Sequence, residues 1–320
     1  MPARIIALID PDVGPSSHRL VWLASDIAGV PVGSAFLRVF TRAGQDHLAG
    51  LELHVHPDEP LGDTGLRLLN AAMAAACEHG RRRVITHVEA GSATETLLAA
   101  RGFRTVLTLT SARLTLADAD IAALTGIVEE PHPGYRLASW DGMVPDALAD
   151  TFVASRRAMN DTPSGGVDFH AVPWDLERVR AAVAAAEKRG DVLHTVAAVS
   201  ETDGAIAGYT ELAVPGTGEG DAQHYGTAVL PEHRGRGLGL WMKAASVRHA
   251  RERYPHLDGL LTDTADNNAH IRPINDALGY EATHTTYQYQ CDLHPAEAHD
   301  DCMGHEGGSV QCLLRPHHGR

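Results

Sequence analysis

The run Thr227-Ala228-Val229-Leu230-Pro231-Glu232-His233-Arg234-Gly235-Arg236-Gly237-Leu238-Gly239-Leu240 carries the sharpest chemical signal in the chain. A strand pattern feeds a glycine-rich loop, and a helical pattern starts inside that loop. Backbone N–H groups at a helix N-terminus lack partners and carry partial positive charge, so such a junction can cradle a pyrophosphate. Glycine permits the close approach and positive φ that a cradle needs, and Arg234 and Arg236 add charge. The loop lacks the Lys-Ser/Thr ending of a P-loop. Its glycines run G-x-G-x-G, which is not the G-x-G-x-x-G of a dinucleotide fold.

Elements that could position this loop alternate along the chain. In the first half, strand patterns at 21–25, 33–40 and 48–56 precede a helix in which Leu66, Leu69, Met73 and Ala76 share a stripe and Gly80 caps the end. A strand at 83–88, a short helix at 93–101 and a strand at 105–115 follow. After a turn-rich stretch ending Glu129-Glu130-Pro131-His132-Pro133-Gly134, the pattern restarts with a strand at 135–140. Then come a helix from about Pro145 and an amphipathic helix through Leu176, Val179, Val183 and Ala186. A hairpin, 192–199 and 205–214, turns at Asp203-Gly204. The glycine loop follows the next strand, 225–230, and its helix reaches Tyr254. A strand at 259–264, a short helix at 269–277 and a strand at 281–292 complete the order.

The two halves can be overlaid. Val55-His56-Pro57-Asp58 matches Val229-Leu230-Pro231-Glu232, Gly65-Leu66 falls where Gly239-Leu240 does, and Leu98–Phe103 echoes Asn275–Tyr280. Two divergent copies of one α/β unit are therefore expected: residues 1–116, a linker at 117–134, a second copy at 135–293 and a flexible tail at 294–320.

Arg234-x-x-Gly237-x-Gly239 after a Val-x-Pro strand end resembles the acetyl-CoA signature of the Gcn5-related N-acetyltransferases (GNAT). Asn268, Asn275 and Leu278-Gly279-Tyr280 resemble that family's second cofactor segment. The resemblance is good over 135–293 and weaker over 1–116, so the whole is similar to a tandem member. It implies an α/β (α+β) fold with two acetyltransferase-like domains, each a mostly antiparallel, splayed sheet flanked by helices. It also implies acetyl-CoA as co-substrate, with no metal. Thr227, Ala228 and Val229 would offer backbone to pantetheine, Gly235, Arg236, Gly237, Leu238, Gly239 and Leu240 would wrap the pyrophosphate, and Asn268 would meet the pantetheine arm.

Acetyl transfer needs a neutral amine, a polarised carbonyl and a proton for the leaving thiolate. The resemblance puts a carboxylate facing the acceptor at Glu211, on the strand before the cofactor strand, making it the first candidate base. Asp263 is second and His224 third. Asn275 stands where the family usually has a tyrosine acid; an amide cannot give up a proton that way, although it can hydrogen-bond the sulfur or the cofactor arm. Tyr225, Tyr280, Tyr287, Tyr289 and water are the alternatives. In the first copy Pro60 stands at the Arg234 position and Asp63 at the Gly237 position. The first removes a guanidinium and a backbone donor, and the second sets a carboxylate against the phosphates. Gly62 and Gly65 suit a retained turn there, and the first copy is expected to bind no cofactor.

With Lys plus Arg at 27 and Asp plus Glu at 41, the chain carries a net charge of −14, which disfavours nucleic acid and favours a cationic partner. Asp266, near Glu211 and Asp263 in this reading, points the same way, toward a small cationic amine as acceptor. A non-catalytic acyl-CoA-binding or regulatory module is the rival reading. No apolar run approaches a membrane span, and Ile5–Ile9 is too short for a secretory signal. The four cysteines show no CxxC and are expected to be reduced thiols of a cytoplasmic protein. Cys302, His305, Cys312, His317 and His318 match no familiar zinc spacing. His54 and His56 share a strand face without a third ligand, and Arg81-Arg82-Arg83 complements a helix C-terminus.

Overall fold

The structure, a computed structural model, describes residues 3–9, 17–56, 61–161 and 173–293. The expected tail at 294–320, with its Cys and His residues, lies outside the described residues, as does Pro60. The chain divides into two compact units. The first takes in Met1–Thr108 and the segment from Thr285 onward; the second takes in Leu109–Pro163 and Ala171–His284.

In chain order the first unit supplies β1 (Arg4–Ile9), β2 (Ser17–Ser25), β3 (Pro31–Phe40), β4 (Leu48–Val55), α1 (Leu61–Glu78), β5 (Arg83–Glu89) and α2 (Ala93–Ala99). Strand β6 (Arg104–Thr115) leads into the second unit, which continues with α3 (Ile121–Glu129), β7 (Tyr135–Asp141), α4 (Ala149–Ser155) and α5 (Leu176–Lys188). After these come β8 (Asp191–Ser200), β9 (Ile206–Pro215), β10 (Gly220–Val229), α6 (Leu238–Arg253), β11 (Leu257–Ala265), α7 (Ile271–Ala277) and finally β12 (Glu281–Asp292).

The last strand of each copy is exchanged. In the first unit the order is β1-β2-β3-β4-β5-β12, with β4 and β5 parallel and β12 antiparallel to β5 from Thr286↔Glu89 to Asp292↔Arg83. The order in the second is β7-β8-β9-β10-β11-β6, with β10 and β11 parallel and β6 antiparallel to β11 from Gly259↔Thr115 to Ala265↔Leu109. The division therefore differs from boundaries at 116 and 135–293. Hydrophobic periodicity reports which face of a strand is buried but not which distant strand it pairs with.

Residues 117–134 also differ from a linker. Asp120 caps α3, its Oδ1 accepting from the Ala123 N–H at 2.9 Å, and Leu116 and Leu124 are buried in the second unit's core. Trp241 Nε1 donates to Val128 O at 2.9 Å, tying α3 to α6. The signal was legible: an Asp cap followed by Ile121, Leu124, Ile127 and Val128 at helical spacing. Strand β1 is the other element that the sequence patterns left out.

Burial explains the rest. Strands β8 and β9 are buried along nearly their whole length, because helices cover both faces. On one face α4 and α5 pack Phe152 and Val179 against Tyr209. On the other, α6 packs Ala244, Val247 and Ala250 against Leu212 and Val214. The first unit has one core, with Leu68, Leu69, Ala72, Met73 and Ala76 of α1 against Leu37, Leu51 and Leu53. Of the cysteines in the described residues, Cys291 is a free, buried thiol. No helix among the described residues is long and apolar enough to cross a membrane.

Candidate functional site

Strands β10 and β11 run together from Gly220↔Leu257 to His224↔Thr262 and then part. Beyond that point Gly226–Val229 pairs only with Glu211–Gly208 of β9, and Asp263–Ala265 pairs with Ser111–Leu109 of β6. Among the described residues the β11-facing edge of Gly226–Val229 has no strand partner, which opens a V with its apex at His224 and Thr262. A register shift between His224 and Gly226 marks a β-bulge in the same stretch, and bulges re-aim side chains and end pairing. Tyr225 is turned out by it, exposed, with its hydroxyl accepting from Arg189 Nη2 at 2.8 Å. The strands approach closely at Gly208, where a Cβ would lie 2.7 Å from Ala228 O.

The glycine loop sits at the open end of this V. A short 3-10 turn at Pro231–His233 leads to Arg234 in extended conformation, and Gly237 then starts α6 with φ 75° and no side-chain cap. Gly235 also has φ 75°. At Gly237 a side chain would be strained by that φ, and its Cβ would come 3.2 Å from His132 Nε2. An uncapped N-terminus on a helix of four turns presents N–H groups and the positive dipole end to whatever lies in the loop. Arg234 and Arg236 are exposed beside it; Arg234 Nε donates to Val229 O at 3.0 Å, and Arg236 lies over the Tyr135 ring. His132 stacks on Trp241 with ring centroids 4.2 Å apart.

Among the other expected cofactor residues, Thr227 Oγ1 is 2.7 Å from Thr210 Oγ1, and Ala228 is buried against Ala158 and Leu230. Asn268 lies on the turn after β11, its Oδ1 accepting from the His270 N–H at 3.3 Å. The side chain of Asn275 is not turned to the loop. It is buried, with Oδ1 accepting from Lys243 Nζ at 2.5 Å and Nδ2 donating to Thr264 Oγ1 at 3.0 Å.

Glu211 is buried, and both its oxygens accept from Arg156, at 2.6 and 2.5 Å. The guanidinium is boxed by the rings of Phe152, Trp174 and Tyr209 at 4.5, 4.6 and 4.7 Å. A bidentate pair with a permanent cation anchors a carboxylate rather than leaving it open to take a proton. No spacing in the sequence announced Arg156, which comes from the turn after α4. Asp263 is exposed on the same sheet face as Glu211, because both alternate away from α6; its Oδ1 accepts from Ser111 Oγ at 2.6 Å. Asp266 Oδ1 accepts from Thr110 Oγ1 and Arg272 Nη2.

Four of the remaining acid–base candidates change place or character. Tyr287 and Tyr289 belong to the exchanged strand in the first unit, where Tyr289 is buried and donates to Glu95 Oε1 at 3.3 Å. His224 is fully buried; burial, reinforced by the Lys243 charge, holds its pKa well below the ordinary value, so the ring is neutral. Tyr280 is buried as well, and burial holds its hydroxyl well above its usual range. Lys243, on α6, carries no signal in the sequence patterns and is 1% exposed. Among the described residues the one three-ligand grouping is Asp141, His194 and His249. Its two rings stack at 3.7 Å and 2°, so their in-plane lone pairs run parallel instead of converging on one ion.

Residues 159–280 match the family model described as the acetyltransferase (GNAT) family. The fold is similar to that of a tandem GNAT protein from the clavulanic acid biosynthesis pathway, solved without AcCoA, at 24% identity and TM-score 0.70, over 88% of this chain and 84% of that one. A GCN5-related N-acetyltransferase from Sphaerobacter thermophilus is similar at 16% identity and TM-score 0.59, over 88% and 82% of the two chains. Another from Kribbella flavida gives 16% and 0.53, over 81% and 87%. No curated protein matches the chain in sequence.

Proposed function

From the premise that residues 159–280 are a GNAT-family domain within a tandem GNAT fold, we propose that the second unit transfers an acetyl group from acetyl-CoA to the nitrogen of a small cationic amine. Transfer is direct, in a ternary complex. The observation that carries this reading is the parting of β10 from β11 at His224↔Thr262 with an uncapped, glycine-started helix at its mouth. The N–H groups from Gly235 to Leu240 hold the pyrophosphate, Arg234 and Arg236 screen its charge, and pantetheine lies along the unpaired edge of Thr227–Val229. Asn268 stands where the arm enters. Asn275 acts from inside, through Lys243.

Of the candidate bases, Asp263 is the one retained, exposed on the face that α4 and α5 cover further along the sheet. Glu211 becomes a positioning residue that neutralises Arg156 under the acceptor side. The net charge of −14 favours a cationic acceptor, since an acidic surface raises the local concentration of cations. The first unit binds no acetyl-CoA.

The test is incubation with acetyl-CoA and a panel of primary amines, reading thiol release and the acetylated product by mass. Thiol release with a product 42 Da heavier than one of the amines (the mass of an added acetyl group) supports the reading. Failure of acetyl-CoA to bind contradicts it. A second reading, a non-catalytic acyl-CoA-binding module, draws on the internal engagement of Asn275 and Glu211. Tight acetyl-CoA binding without turnover across all amine classes favours that reading instead.

A further inference from the structure

The buried polar cluster beneath the apex of the V has no role in the reading so far. Lys243 enters it from α6, Thr262 and Thr264 from β11, Asn275 from α7, His224 from β10, and Tyr280 from the turn before β12. Lys243 Nζ donates to Asn275 Oδ1 at 2.5 Å and lies 3.4 Å from Thr262 Oγ1. It also sits 4.4 Å from the centre of the Tyr280 ring. Thr262 is the last residue of β11 paired with β10, so the amine is at the point where the strands begin to part. No carboxylate among the described residues pairs with it. A buried lysine with no counter-ion is costly in any core, and a leucine or methionine would fill the same helix position.

We infer that Lys243, aimed by Asn275, is the acid that protonates the departing CoA thiolate. The inference rests on the proposed acetyl transfer and supplies the group which the tyrosine-to-asparagine difference left unassigned. The amine nitrogen of the acceptor bonds to the carbonyl carbon, the C–S bond breaks, and its electron pair stays on sulfur. An Nζ–H proton passes to the sulfur, leaving Lys243 neutral. The proton shed by the acceptor nitrogen goes to Asp263 or water, and Lys243 regains one from solvent after CoA leaves. The geometry separates the two roles by sheet face: the acceptor approaches on the α4/α5 side, and the acid waits on the α6/α7 side.

Burial lowers the Lys243 pKa from 10.5 to about 7, which suits an acid working against a thiol of about 8.5. The groups facing it are His224, held neutral by burial, and Tyr280, held protonated by burial, with the uncharged Thr262, Thr264 and Asn275. Because the folded pKa lies below the unfolded one, the wild type gains stability as pH rises from about 7 to about 10, where only the unfolded chain holds the proton. Lys243→Met lacks that gain, so the melting temperature of the wild type should rise relative to the variant over that window.

The direct test uses CoA and desulfo-CoA as probes on the full chain. Both should bind wild type and Lys243→Met, desulfo-CoA within about threefold in the two proteins. At about pH 6.5, where Lys243 still holds much of its proton, the thiolate fraction of bound CoA, followed by its ultraviolet absorbance, should be roughly fivefold or more higher in wild type than in Lys243→Met. Asn275→Ala should fall between them. If the thiol of CoA bound to wild type titrates like free CoA, the inference is overturned, whether or not either variant folds, while the acetyl-transfer reading stands. If neither probe binds wild type, both readings fall together.

Discussion

The two units repeat one strand order and diverge where a cofactor would sit. In each, a parallel pair parts midway, β4 from β5 after Leu51↔Thr86 and β10 from β11 after His224↔Thr262. Each also has a glycine on the strand beside the open edge that approaches its neighbour's backbone. A Cβ at Gly33 would lie 2.9 Å from His54 O, and one at Gly208 would lie 2.7 Å from Ala228 O. The splay has therefore survived in both copies. When the overlay of Val55 on Val229 is carried forward, Leu61-Gly62-Asp63 falls on Gly235-Arg236-Gly237. In the second unit those residues are loop, ending in a left-handed glycine; in the first they are the opening turn of α1. Helix α1 thus begins where the second unit still has loop, so no left-handed glycine precedes its first N–H groups, and the Asp63 carboxylate, 3.8 Å from Arg67, lies in that first turn. Gly62 and Gly65 lie inside that helix, which corrects the expectation of a retained turn. The first unit also has only residues 10–16 between its first two strands, where the second has α4, α5 and the Arg156 anchor. A splayed sheet is thus a property of the fold, and a site requires in addition the loop and the helices beside it.

The largest break in this contrast should come from Gly237→Asp, which copies the first unit into the second. A negative charge about 4 Å from a diphosphate costs roughly 4 kcal/mol at an effective dielectric near 20, about a thousandfold in acetyl-CoA affinity. Strain at φ 75° adds to it. Calorimetry, with folding checked by circular dichroism, measures it. Next comes Glu211→Gln, which leaves Arg156 charged and buried without its partner. A loss of about 3–5 kcal/mol in stability is expected, read by denaturant unfolding, and a rate defect in this variant would report lost anchoring before it reported a lost base. Arg234→Ala should weaken acetyl-CoA binding by about 1.5–3 kcal/mol at most, since the exposed guanidinium contributes one charge-assisted bond. At the small end, Asp63→Gly should leave binding unchanged, because removing the carboxylate does not unwind the first turn of α1. A new binding event in that variant would show that the copies differ by charge alone.

Much of this was legible from residue order. The glycine loop marked the junction of β10 with α6, and Gly80, Gly190 and Gly204 fixed helix ends and a hairpin, because those turns need a positive φ that glycine supplies. What stayed hidden depended on partners remote in sequence. Nothing in the alternation of Glu281–Asp292 says that the strand pairs with Arg83–Glu89, so Tyr287 and Tyr289 were candidates for a site in the other unit. Glu211 read as available because Arg156 lies in a helix-terminal turn with no motif around it. Lys243 was invisible for the opposite reason: α6 is buried nearly all round, so one polar residue in it breaks no amphipathic pattern.

The number of acetyl-CoA molecules bound per chain tests the contrast most directly. Titration calorimetry on the full-length protein should return one site, unchanged by Asp63→Gly and abolished by Gly237→Asp. Two equivalent sites per wild-type chain, or one site that survives Gly237→Asp in a folded protein, would contradict the account.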